Sequence, residues 1–398
     1  MLRKWTESLV QQGRSVRVAA VAALSLLAAA CSGIPGADFF SSQPPPPPAQ
    51  PSQVGAGQVK VALILPLSAS GNGAAVAASM RNAAEMALAE FSNPDIQLLV
   101  KDDGGTAQGA QQVAQQVLDE GAEIILGPLF ALTVGPVGRA ARARNVPVIA
   151  FSTDSTVAGP GVHLLSFLPE SDVDRVIRYA IQQGKRSFAA LIPDNAYGSV
   201  VQAAFQQAVA AGGGRVVAME RYPLDRAQME EPVKRVAAAA RQADAIFIPD
   251  GADSVTAAVQ ILAANGVTRR IQLIGTGLWD DPRIFADAGA QGGWFAAPDP
   301  AGFRSFSSRY RSRYGQDPLR PATLAYDAVS LVAALVKTQG AVRFSEEVLN
   351  NPSGFAGIDG VFRFRPDGTN QRGLAVMRVT TSGPQVISPA PKSFGSGT

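Results

Sequence analysis

The chain has 398 residues, 35 Lys and Arg against 32 Asp and Glu, and a formal charge of +3. Its first 30 residues hold Arg3, Lys4, Arg14 and Arg17 against Glu7 alone, so the remainder has 31 basic and 31 acidic groups and no net charge. That excludes a general binder of nucleic-acid backbone, and a single cysteine, Cys31, excludes both an intrachain disulfide and a Cys-based metal site.

Val18 to Ala30 is an apolar run of 13 residues, mostly Ala, Leu and Val. It is too short for a stable transmembrane helix, and the order basic, apolar, small is that of a secretory signal. Ala28, Ala29 and Ala30 followed by Cys31 resemble a bacterial lipobox. The resemblance implies cleavage before Cys31 and lipidation of its thiol, with acyl chains anchoring the protein by burying methylene groups. Ser32 stands where an Asp would retain enterobacterial lipoproteins at the inner membrane, which implies the periplasmic face of the outer membrane. The alternative is an ordinary secreted protein with an incidental cysteine. Residues 31–58 carry one charge, Asp38, and five consecutive prolines, Pro44 to Pro48. Proline lacks an amide donor and favours extended backbone, so this stretch is expected to be a tether reaching ~50–80 Å. A motif for a proline-reading partner is the other reading.

From Val59 the pattern changes. "VKVALILPL", "IQLLVKDD", "AEIILG" and "VPVIAFS" are expected strands, and helices are expected over Ala75 to Phe91, Thr106 to Asp119 and Leu132 to Arg144. Short apolar strands alternating with such helices predict right-handed crossovers and a parallel sheet covered on both faces. The alternation restarts with a helix over Asp172 to Gln183. The strands "SFAALIPD", "GRVVAMERY", "ADAIFIPD" and "IQLIGTG" follow, separated by helices over Val200 to Ala211, Met229 to Arg241 and Ser254 to Asn265. Two doubly wound units suit a body this long. "GWFAAPD" reads as a strand ending in a crossing, and Ala301 to Tyr314 and Ala322 to Lys337 read as helices. "GVFRFRPDGTNQRGLAVMRV" reads as a hairpin, with Pro at i+1 and Gly at i+3 of a type I turn.

The usual catalytic and nucleotide-binding signatures are absent. "LSASGNG" lacks the GxGxxG spacing, and no segment offers GxxxxGK[ST] or GxSxG. The only histidine, His163, cannot form a metal cluster and is read as a structural imidazole at a strand edge. Adjacent acids in extended backbone point to opposite sides, so Asp102 with Asp103 is expected to cap the next turn, and Asp281 to precede a helix opened by Pro282. No enzymatic activity, cofactor or metal is expected. Open sheets bind ligands outside the carboxyl ends of their strands, so a solute touching both units would favour closure about the crossings between them.

"VKVALILPL", "NAAEMALAE", "LLVKDDGGTAQGAQQVAQQVLDEGAEIILGPL", "VPVIAFS", "DNAYG", "YP" at 222 and 223, "IGTGLWDD" and "LAYDAV" resemble, in order and spacing, the type I periplasmic solute-binding proteins of the Leu/Ile/Val branch. The likeness runs from about Val59 to Lys337. It implies a bilobed periplasmic-binding-protein fold: two doubly wound parallel α/β sheets joined by a hinge. Residues 59–165 with 299–380 would form the first lobe, 166–298 the second, and 381–398 a flexible tail. It also implies a receptor presenting an amino acid or related small polar solute to an ABC permease. A related branch of lipoproteins activates penicillin-binding peptidoglycan synthases, and the anchor and long tether favour it as the alternative.

Much of the family's amino-acid grip is missing. A serine after the "GPL" turn is here Ala131, leaving its backbone donor, and a threonine beyond the fourth strand aligns with Asp154, beside Ser152 and Thr153. The acid that meets the ligand ammonium aligns with Gly277. Tyr197 matches the tyrosine that covers the ligand, and Trp279 is a candidate second lid. The implied contacts are therefore Ser68, Ser152, Thr153, Tyr197, Asp250 and Trp279, with the amides of Phe130 and Ala131 as anion donors. Turn capping or packing is the alternative for each side chain, and Phe130 can instead fill the cleft.

Overall fold

The computed structural model describes residues 53–223 and 225–395. The expected signal, Cys31 and most of the tether lie outside them. The first lobe opens with a two-residue strand, β1 (Gln53–Val54), and then β2 (Val59–Leu65), which is apolar and buried at every position but Lys60. Such a strand is at home in the middle of a parallel sheet. There follow α1 (Asn72–Glu90), β3 (Ile96–Asp102), α2 (Ala107–Asp119), β4 (Ile124–Leu126), α3 (Ala131–Arg142), β5 (Val148–Ala150) and β6 (Val162–Leu164). The strand order is β1-β3-β2-β4-β5-β6, parallel except for β1, which runs antiparallel on β3 through Gln53 and Leu99. The packed body thus begins inside the segment expected to be tether, at Gln53. His163 sits on β6, buried, its ring 5.1 Å from that of Phe364 and its Nε2 3.4 Å from Glu346.

The second lobe repeats the construction with α4 (Pro169–Gln182), β7 (Ser187–Pro193), α5 (Ala196–Ala211), β8 (Arg215–Tyr222), α6 (Arg226–Ala239), β9 (Ala245–Phe247), α7 (Ala252–Ala264), β10 (Gln272–Gly275), α8 (Pro282–Ala286) and β11 (Trp294–Ala297). Every residue of β7 is buried, as befits a strand between β8 and β9. One face packs under α4 and α5, where Phe205 and Phe247 stack with centroids 4.9 Å apart. The other packs under α6 and α7 around Trp279 and Phe295.

The chain then returns to the first lobe. α9 (Pro300–Tyr314) lays Phe306 and Tyr310 against Ala83 and Met86 of α1, and α10 (Ala322–Thr338) packs along α1 through alanines and leucines. After α11 (Glu346–Leu349), a small antiparallel sheet of β12 (Phe355–Gly357), β13 (Gly360–Phe364) and β14 (Asn370–Arg372) buries Phe362 and Phe364 in the first-lobe core. The "RPDG" turn joins β13 to β14, with the Gly368 amide donating to Arg365 O at 2.9 Å.

Three expectations are corrected at the C-terminus. β15 (Ala375–Thr380) pairs antiparallel with β11 in the second-lobe sheet, although the resemblance implies the first lobe for residues up to 380. Residues 383–388, within the expected flexible tail, form β16 (Gly383–Ser388), antiparallel on β15. The expected long hairpin is therefore split, its first half in the first lobe and its second half in the other. The second sheet, ordered β16-β15-β11-β10-β9-β7-β8, is consequently mixed and not wholly parallel. The physical reason is that β11 otherwise ends the sheet with unpaired backbone groups, which two further strands satisfy.

Candidate functional site

The carboxyl ends of both sets of parallel strands open onto loops of unusual charge. Residues 66–71, 102–106, 127–131 and 151–156 of the first lobe, and 194–195, 248–251 and 276–281 of the second, contain seven aspartates and no Lys or Arg. Asp194 pairs with Arg221 and Asp281 with Arg283. Asp102, Asp103, Asp154, Asp250 and Asp280 have no ion pair among the described residues, so these strand-end loops are acidic.

On the first lobe, Asp102 Oδ1 accepts from the amides of Gly104 at 2.9 Å and Ser68 at 3.2 Å, and Asp103 Oδ1 accepts from Gly105 at 2.8 Å. These are the turn caps expected of the pair. Burial works against the Asp102 carboxylate, but hydrogen bonds from Ser68 and from backbone amides outweigh it and hold its pKa below the usual range. Burial raises that of Asp103, with Asp102 beside it adding to the effect. Ser68 itself is exposed at the rim. Ser152 is buried and accepts from the Asp154 amide at 3.1 Å, while Thr153 is exposed, and Asp154 caps the following 3₁₀ turn through the Thr156 amide at 2.9 Å. The capping role is met at Ser152 and Asp154. Phe130 precedes α3, whose start at Ala131 has no side-chain cap. Its ring rests on the backbone at Gly73 and Gly105, where a Cβ would come within 3.1 Å of it. Phe130 thus lines the first-lobe mouth, between the loops that follow β2 and β3.

The second lobe gathers a denser set. Tyr197, in the first turn of α5, has its hydroxyl 2.9 Å from Thr276 Oγ1. Tyr222, at the end of β8, donates to Asp250 Oδ2 at 2.6 Å, and Asp250 Oδ1 accepts from the Gly251 amide at 2.7 Å. Burial raises both tyrosine pKa values, with Asp250 contributing to each, so both phenols stay neutral. Trp279 corrects the expectation of a lid. It is fully buried, its Nε1 donates to Ile248 O at 2.9 Å, and its ring packs where a Cβ at Gly275 or Gly293 would clash. It belongs to the second-lobe core.

Asp172 was not singled out from the sequence, where it reads only as an acid in the first turn of a helix. Its Oδ2 accepts from the Gly277 amide at 2.9 Å and lies 3.0 Å from where a Cβ at Gly277 would be. A carboxylate therefore stands beside the Gly277 backbone, supplied by α4 and not by the turn after β10. Burial pushes its pKa up to about 7, the Gly277 amide opposing and Glu170 assisting, with Arg320 and Arg372 pulling it back. Asp280 is raised by burial as well, with Arg320 again opposing.

Arg320 stands at the start of α10, its guanidinium donating to both oxygens of Asp359 at 2.6 and 3.0 Å. It stacks on Phe167 at 4.5 Å and Phe303 at 4.6 Å, and Arg372 takes the Phe167 ring at 4.8 Å. Phe167 lies in the first crossing between lobes and Arg372 at the entrance to the last. Arg372 Nε and Asn370 Nδ2 both donate to Ser166 O at 2.9 Å, so the two crossings are fastened to each other.

Residues 58–384 match the profile of a family described as periplasmic binding protein. A putative branched-chain amino acid ABC transporter protein from Rhodospirillum rubrum shares 21% identity over 83% of this chain and 99% of its own, with a TM-score of 0.72. A solute binding protein from Rhodopseudomonas palustris, solved with 3,4-dihydroxybenzoic acid, shares 22% over 85% of this chain and 98% of its own, with a TM-score of 0.61. Among curated proteins, the penicillin-binding protein activator LpoA of Pantoea ananatis is 29% identical over 118 residues, 29% of this chain but 17% of that protein. These structures share the bilobed fold of non-catalytic solute binders. The chain belongs to the type I periplasmic binding protein family.

Proposed function

We propose that the protein is an extracytoplasmic receptor, lipid-anchored through Cys31 to the periplasmic face of the outer membrane, that takes an ammonium-bearing small solute and presents it to an ABC permease. The observation carrying this reading is the Asp172 carboxylate at Gly277, flanked by Tyr197 and Thr276. A desolvated carboxylate is a strong acceptor for an ammonium group, while the first-lobe mouth offers a carboxylate little beyond the amides at Phe130 and Ala131. The acid-lined cleft repels anions. Ligand amines are accordingly expected to bind at least as tightly as the amino acids that share their side chains.

The test is calorimetric titration of the Cys31→Ser protein, unfolded and refolded to strip carried-over solute, with amino acids, amines and short peptides. Micromolar binding is expected, weakened at least tenfold by Asp172→Asn and by Tyr197→Ala. Silence from a folded protein, or affinity unmoved by Asp172→Asn, counts against the reading. The anchor has its own test: Cys31→Ser moves the protein from the membrane to the soluble periplasmic fraction.

One observation favours a second reading, activation of a penicillin-binding peptidoglycan synthase: curated relatives in Pantoea ananatis and an Enterobacter strain are named as such activators. The matched stretches cover 17% and 18% of those proteins. A synthase whose glycan polymerisation accelerates on adding this protein, with Asp172→Asn equally effective, would put this reading first.

A further inference from the structure

The carboxyl end of the second sheet gathers two carboxylates around one phenol. β9 and β10 lie side by side and parallel, and the Ile248 amide donates to Ile274 O at 2.8 Å, so Asp250 and Thr276, each two residues further on, leave the sheet as neighbours. Tyr197 links this pair to Asp172. Its hydroxyl is 2.9 Å from Thr276 Oγ1, and the amide of the next residue, Gly277, donates to Asp172 Oδ2 at 2.9 Å. Both carboxylates act on the Tyr197 phenol: burial is the main cause of its raised pKa, and Asp172 and then Asp250 add to it.

Both acids are half-buried and keep capacity for a further donor. Asp172 accepts from the Gly277 amide, and Asp250 from Tyr222 and the Gly251 amide, whereas a carboxylate has about four acceptor sites. Neither has an ion pair among the described residues, because the basic side chains that border this end are engaged elsewhere. Arg221 is held by Asp194 and Ser199, Arg283 by Asp281 and Asp253, Arg320 by Asp359, and Arg372 by Ser166 O. The opposite end of the same sheet carries Lys185, Arg186, Arg215, Arg241, Arg269 and Arg270 against Asp244 and Asp287, so the excess acid belongs to the strand-end mouth and not to the lobe as a whole.

Resting on the ammonium reading above, we propose that the solute is a linear aliphatic diamine, one ammonium held at Asp172 and the other at Asp250, with its methylene chain passing Tyr197. A monoamine leaves the Asp250 charge uncompensated, and an amino acid brings a further negative charge to the two already there. A diamine answers both carboxylates with charge-assisted hydrogen bonds.

The experiment is calorimetric titration of the Cys31→Ser protein, stripped of carried-over solute, with putrescine and cadaverine. Butylamine and pentylamine keep each chain and lose one ammonium, and aminopentanol replaces that ammonium by a hydroxyl. At least one diamine is expected to bind tenfold or more tighter than its monoamine and than aminopentanol. Asp250→Asn should weaken that diamine at least tenfold and the monoamine by less than twofold, while Asp172→Asn weakens both at least tenfold. The comparison of ligands needs no variant and decides the matter if Asp250→Asn fails to fold. Diamines bound no tighter than their monoamines, or a folded Asp250→Asn variant that weakens diamine and monoamine equally or neither, would overturn the diamine assignment and leave the ammonium reading standing. A folded parent protein that binds no amine would overturn both.

Discussion

Trp279 and Asp172 both depart from the surroundings that sequence position suggests for them. "GTGLWDD" places the indole among polar residues at a strand end, which is where lids are found. Its actual environment is decided by Gly275 and Gly293, whose missing side chains leave the space the ring fills. Replacing Trp279 with Ala should cost about 3–5 kcal/mol in stability, as loss of a large buried aromatic does, read as a lowered urea midpoint. A lid would instead lose affinity at unchanged stability. Asp172 was obscured for a different reason: an acid in the first turn of a helix is explained by the helix dipole alone, and only the folded path of α4 brings it to Gly277. The caps at Asp103, which holds the Gly105 amide, and at Asp281, which accepts from the Arg283 amide at 2.8 Å, were legible because capping is local chemistry, resolved within three residues. The Asp172–Gly277 contact joins elements 105 residues apart, and no local pattern reports that.

At the level of elements, the crossings concentrate buried charge. Asp327 of α10 accepts from the Ile358 amide at 2.8 Å, and burial pushes its pKa up to about 7, with Arg372, that amide and Arg320 opposing and Asp359 adding to the rise. Asp172 behaves alike at the start of α4. A carboxyl whose pKa is higher folded than unfolded binds more protons in the native state, so its contribution to stability falls as pH rises between about 4 and about 7. His163, whose pKa burial lowers, acts in the opposite sense as pH falls below about 6.5. The effect of Asp327 is therefore isolated by comparison with Asp327→Asn, which keeps an acceptor for Ile358. The variant should gain in urea midpoint relative to the parent on going from pH 5 to pH 7.5; a pH-independent difference would refute the assignment. Strands and helices themselves were legible because their apolar periods are strong. β12 was missed because three residues carry no period, and β15 was placed in the wrong lobe because alternation along a strand is silent about which sheet it joins.

For the whole molecule, charge is arranged by position within a chain whose residues 31–398 are neutral overall. The strand ends facing the cleft are acidic, and the far edge of the second lobe is basic. A cationic solute should be drawn into the cleft by this field, so its association rate is expected to fall several-fold between 20 and 200 mM salt, in line with screening over about 10 Å or less near 0.1 M. Stopped-flow binding measures this, and a rate insensitive to salt would remove steering from the account. The last two strands carry a further consequence, for biosynthesis. β11 gains its outer neighbour only from residues 375–380, after the chain has visited the first lobe and come back. As the chain emerges from its N-terminal side onward, the second lobe must therefore wait with the outer edge of β11 unpaired until residues 375–380 have followed. In that interval the open strand edge is most exposed to pairing with another chain, and a stop codon near residue 374 would leave the interval permanent.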